Sequence, residues 1–135
     1  MDNQEIEEFG KQVVAFVRDL AIDNSDSCLE QNGRTAQRWK AAKSLSPDQF
    51  ARIIIPDIVD ETLYWLMRAI DEGLLTLSYT ASSGKTVNLT EEGLSELAGW
   101  YLGRDGWIGT YSKERFVDYG STPEFDSENP TKQSE

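Results

Sequence analysis

Histidine is absent from the 135 residues and cysteine occurs once. A Ser-His-Asp triad, a Cys-His dyad and a histidine metal site are therefore excluded within one chain. An intrachain disulfide and a zinc ribbon are excluded as well. The lone Cys28 suits a reducing compartment. Long apolar runs are missing too. Runs such as Ile53-Ile54-Ile55 and Leu63-Tyr64-Trp65-Leu66-Met67 fall far short of the roughly 20 residues that span a bilayer. The acidic start Met1-Asp2-Asn3-Gln4-Glu5 lacks the basic and then apolar pattern of a signal peptide. The expectation is a cytoplasmic protein with no membrane partner.

Positive charge is scarce: 13 Lys and Arg face 24 Asp and Glu, a net charge of -11. A surface of that sign repels polyanions and attracts cations. Nucleic acid is thus an unexpected partner and a basic protein an expected one. What is present is ordinary globular material, 39% hydrophobic and 27% charged. A chain this long buries roughly two-thirds of its unfolded surface and needs no staples. We expect one globular domain over 1–120, then an acidic flexible tail over 121–135 that holds two prolines.

The charge is unevenly placed. Residues 33–46 hold four bases, Arg34, Arg38, Lys40 and Lys43, and no acid. Residues 47–72 hold six acids and two bases. Basic residues flanking Trp39 can bind nucleic acid, but four charges are a small footprint beside -11. A salt-bridged surface helix with Trp39 in the core accounts for them better.

Periodicity predicts mostly helix. Ile6, Phe9, Val13, Phe16, Val17 and Leu20 recur at helical spacing, so residues 3–22 read as an amphipathic helix with Asp23-Asn24-Ser25 as its stop. Asp2 and Glu5 resemble a capping box there. A short helix capped by Thr35 is expected through Lys43. Ser46-Pro47-Asp48-Gln49 combines a cap, a first-turn proline and a returning Gln. It predicts a long central helix over about 47–72, stopped by Gly73, with Pro56 kinking or splitting it. Its apolar stripe, from Ala51 through Ile55, Ile58, Val59 and Leu66 to Ile70, covers about half the circumference and asks for more than one neighbour. Asp57, Asp60, Glu61 and Arg68 fall on the opposite arc, which reads as solvated. Leu75, Leu77 and Tyr79 then alternate with polar residues, and Ser82–Lys85 reads as a turn, giving one β-hairpin over about 75–89. A helix over 91–102 capped by Thr90, a loop over 103–111 and a short helix from Ser112 to Tyr119 complete the expectation. The fold class is α+β, mostly α: a small helical bundle around the central helix with the hairpin on its flank.

Three motifs bear on chemistry. Ser83-Gly84-Lys85-Thr86 is half of a phosphate-binding loop, but Tyr79 stands where its first glycine belongs and strand follows where a helix is required; it reads as a hairpin turn. Asp57, Asp60 and Glu61 lie at i, i+3 and i+4 and can converge on magnesium. Glu5, Glu7 and Glu8 offer a second carboxylate set in the manner of helical nucleotide pyrophosphohydrolases, though the spacing between the sets departs from that pattern. Leu89-Thr90-Glu91-Glu92-Gly93 after the hairpin resembles the wing and following helix of winged-helix regulators, where a strand often leads into Leu-Thr-Glu-x-Gly. The resemblance covers about twenty residues. It implies a basic recognition helix before the wing, whereas the acidic 47–72 segment stands in that place, so DNA binding is not carried over.

The stretch from Gly99 to Tyr111 is the least ordinary. It holds two of the four tryptophans and four glycines. Trp, Tyr and Arg are the residues that carry binding hot spots, which makes Trp107, Tyr111, Trp100 and Arg104 the candidate partner-binding residues; the competing account is that these aromatics close one end of the core. The expected function is a non-catalytic protein-binding module of inhibitor, immunity or adaptor type, without a cofactor, for a cationic partner. The alternatives are an enzyme with carboxylate-held magnesium acting on a phosphorylated small molecule, and a divergent winged-helix regulator. The missing histidine weighs against an enzyme, although carboxylates, tyrosine and lysine can do acid–base work.

Overall fold

Asn3 opens the first helix: its side-chain oxygen accepts the amides of Glu5 and Ile6 at 3.0 and 3.1 Å. The computed structural model describes residues 3–102, 105–115 and 117. Helix α1 (Gln4–Val13) passes into a π-helical stretch, Val14–Arg18, and then into α2 (Asp19–Cys28). The helix therefore runs past the expected stop at Asp23-Asn24-Ser25. Within that stretch the Asn24 side-chain amide donates to Glu61 Oε2 at 2.5 Å, and the Asp23 carbonyl accepts the Ser27 hydroxyl one turn on. The π stretch takes extra residues per turn, and Val17 within it is buried.

Helix α3 (Arg34–Ala41) follows, starting from Gly33 and ending in a 3₁₀ turn, Ala42–Ser44. Thr35 is inside this helix and is not its cap. Ser46 then forms the expected capping box with Gln49, and Pro47 occupies the first turn of α4 (Pro47–Asp71). α4 continues through Pro56 as one element. Gly73 follows its end at φ +76°, a left-handed position that a side chain resists.

Strands β1 (Ser78–Thr80) and β2 (Thr86–Asn88) pair antiparallel, with Tyr79 opposite Val87. The ladder is shorter than the alternation predicts, but the hairpin does lean on the helices. Leu75 is buried, Leu77 and Leu89 pack against the core, and the Thr90 hydroxyl donates to the carbonyl of Leu75 at 3.1 Å.

The expected helix over 91–102 is broken. α5 (Leu89–Glu92) is capped by Asn88, not Thr90, and Leu94 and Ser95 both take positive φ before α6 (Leu97–Tyr101) begins. Leu94, expected on an inner face, is exposed as a result. Asp71 supplies the start of α6 from a distance: its two carboxylate oxygens accept the amides of Leu97 and Ala98, each at 3.0 Å. Where a loop is predicted over 103–111 the chain forms α7 (Trp107–Tyr111). Residues 112–115 are not helical, and the remainder of the expected 112–119 helix and the 121–135 tail fall largely or wholly outside the described residues.

The chain divides into two compact units, residues 1–98 and 99–135. The first unit holds a core of Val17, Ala69, Ile70, Leu75 and Leu97, edged by Val13, Phe16, Trp65 and Leu66. Val17 meets the C-terminal part of α4, while Asn24 reaches Glu61. The long N-terminal helix therefore runs antiparallel to α4. The architecture is the mostly helical α+β bundle around a central helix that the periodicity predicts. Among the described residues no helix is long and apolar enough to cross a membrane.

Candidate functional site

The aromatic candidates lie in the second unit. Trp100 projects from α6 and Trp107 opens α7. Their ring centroids are 6.3 Å apart and the planes are inclined by 52°. That spacing is within the range of a favourable aromatic pair. Both indoles are exposed, and Tyr111, one turn beyond Trp107, is 74% exposed. The inward residue of α7 is Ile108. A five-residue helix thus buries one aliphatic side chain and presents aromatics at each end. Gly106, immediately before it, leaves no room for a Cβ, which would stand 2.3 Å from the carbonyl oxygen of Leu102. The tight turn that sets Trp107 beside Trp100 depends on that glycine. Arg104 lies outside the described residues.

The carboxylate candidates lie in the first unit, in a different setting from the one expected. Asp57 and Asp60 are 4% and 9% exposed, so the arc that reads as solvated is turned inward. The reason is α3. Trp39 is buried and its indole N–H donates to Asp57 Oδ2 at 2.6 Å, while Arg38 donates to Asp57 Oδ1 at 2.6 Å. Glu61 Oε2 accepts from Asn24 at 2.5 Å and from the Trp65 indole at 2.7 Å. A buried carboxylate is tolerable only with such partners. The basic island and Trp39 therefore form the expected salt-bridged helix, docked on the acids of α4. The donors that hold Asp57 and Glu61 offer protons to the oxygens a magnesium ion would need. Among the described residues no group of three His, Cys, Asp or Glu side chains is arranged to hold a metal.

Asn24, Arg38 and Trp65 complete this cluster, and none of them belongs to the carboxylate motif that the sequence displays. The available signal is the match between a segment with four bases and no acid and three acids at helical spacing on the next helix. Cys28 sits nearby, partly buried. Burial pushes its thiol above the ordinary value, the Glu61 and Asp57 carboxylates add to this, and Arg38 opposes it. Such a thiol is held protonated, away from the reactive thiolate. At the other end of α4, Arg68 pairs with Glu72 and Tyr64, which raise its pKa further above neutrality. Its guanidinium also lies 5.8 Å from the Trp65 ring centroid.

Comparison with family models, curated proteins and solved structures gives no significant match.

Proposed function

We propose that the chain is a small acidic cytoplasmic protein that acts without catalysis, binding a cationic protein as an inhibitor, immunity protein or adaptor does. The observation that carries this reading is the exposed Trp100–Trp107 pair with Tyr111 on a chain of net charge -11. Large rings left in water on a short helix that starts from Gly106 supply contact area at small entropic cost, and the negative field supplies attraction for a basic partner. The magnesium-enzyme reading finds less support, because Asp57 and Glu61 are engaged by indole, amide and guanidinium donors.

The test is affinity capture on the full chain from its native cell at low salt, followed by binding of the captured protein to Trp107→Ala. The reading expects a basic protein whose affinity falls by about 2 kcal/mol or more with little change in melting temperature. Recovery of nucleic acid alone would replace it with the winged-helix reading.

A further inference from the structure

The N-terminal half of α4 is oriented against the usual rule for a helix in water. Asp57 and Asp60 face inward, while Ile55, Ile58 and Val59 are 48%, 39% and 51% exposed. With Thr62 these three occupy i, i+3, i+4 and i+7, one continuous line on the helix. Two turns of helix carry that line on to Leu66 and Ala69, where the core of the first unit covers it. The same seam is therefore covered at its C-terminal half and open at its N-terminal half. Three β-branched side chains left in water forgo burial that each would otherwise gain, and adjacent apolar side chains on an amphipathic helix mark a face that something covers.

We propose that this open seam docks a cationic amphipathic helix of another protein. Charge selects that occupant. A second copy would bring another -11 to the contact, and like charges of that size oppose self-association. A basic helix instead gains from that charge, and its own i, i+3, i+4 anchors match the spacing of the seam. Asp48 and Arg52, both exposed, continue the same line into the first two turns of α4, where Asp48 is placed to receive a Lys or Arg of the ligand and Arg52 an acid. The inference rests on the functional reading above only for the sign of the partner's charge; the seam belongs to the first unit and the aromatic pair to the second.

The probe is a designed Leu–Lys amphipathic peptide of about five helical turns, titrated into the full chain by fluorescence anisotropy. Val59→Glu is the decisive variant, with Val59→Asn beside it should the first unfold; circular dichroism and melting temperature check the fold. Glutamate adds negative charge, so attraction by charge alone would hold or strengthen binding. Docking on the seam instead predicts at least a tenfold weakening by both variants, and equal weakening for a peptide of the same composition whose leucines are out of helical register. Trp107→Ala should bind the peptide like the wild type. Absence of peptide binding, undiminished binding by the Val59 variants, or a wild-type dimer that Val59→Glu turns into a monomer would overturn the proposal. Peptide binding that depends on Trp107 and not on Val59 would overturn the seam while leaving the aromatic site standing. A captured basic partner indifferent to Trp107→Ala would do the reverse.

Discussion

The indole N–H of Trp39 and the carboxylate of Asp57 meet at 2.6 Å in the interior of the first unit. This contact decides how α4 is rotated about its axis. A buried carboxylate requires donors, and α3 brings two, the Trp39 indole and the Arg38 guanidinium. Asp57→Ala leaves both donors without this acceptor, and urea unfolding should show a loss of about 3 kcal/mol. Trp39→Phe removes one donor and keeps most of the ring, so about half that loss is expected. A double-mutant cycle on the pair should give a coupling well above the error of additivity.

Asp71 is a long-range cap. Its carboxylate takes two amides at the start of α6, where backbone donors otherwise go unpaired. Asp71→Ala should cost about 2 kcal/mol, and Asp71→Asn should recover part of it. Amide hydrogen exchange at Leu97 and Ala98 should accelerate in both variants, most in the alanine variant.

Two glycines are held by different constraints. Gly73 sits at φ +76°, so Gly73→Ala should cost about 1 kcal/mol through strain alone. A Cβ on Gly93 would stand 2.5 Å from the carbonyl oxygen of Leu89 and 2.8 Å from the Leu97 side chain. Gly93→Ala should therefore be the more damaging by thermal melting, because backbone and core must both move.

The Cys28 thiol gives a pH dependence of definite sign. Its folded-state pKa lies above the ordinary 9.0, so above that pH the folded chain binds more protons than the unfolded chain. Stability must fall as pH rises through and beyond 9. Cys28→Ala should flatten this alkaline limb. Alkylation by iodoacetamide at pH 8 should be slower in the native protein than in urea.

The extent to which the fold is legible in the sequence follows from the range of the interactions. Ser46-Pro47-Asp48-Gln49 is a local device, and its capping box forms as predicted. The hairpin position and the stop at Gly73 are local as well. The orientation of α4 is not local: its apolar stripe is wider than any one neighbour, and the pairing of Asp57 with Arg38 and Trp39 selects which part of the helix turns inward. The run through Asp23-Asn24-Ser25 likewise depends on α4, since Asn24 gains a partner in Glu61. Glycine content suggests a loop over 103–111, yet Trp107–Tyr111 closes a short helix around buried Ile108. The aromatic candidates are visible from composition alone; their pairing at 6.3 Å is a product of the turn at Gly106.

In the proposed binding of a basic partner, charge and aromatic contact would contribute separably, and association kinetics measured across a salt series separates them. With the captured basic partner, the account predicts an on-rate that falls steeply as salt rises while the off-rate changes little. Trp107→Ala should leave the salt dependence of the on-rate intact and speed dissociation about thirtyfold. An on-rate indifferent to salt, or a Trp107→Ala variant that melts early and binds normally, would contradict it.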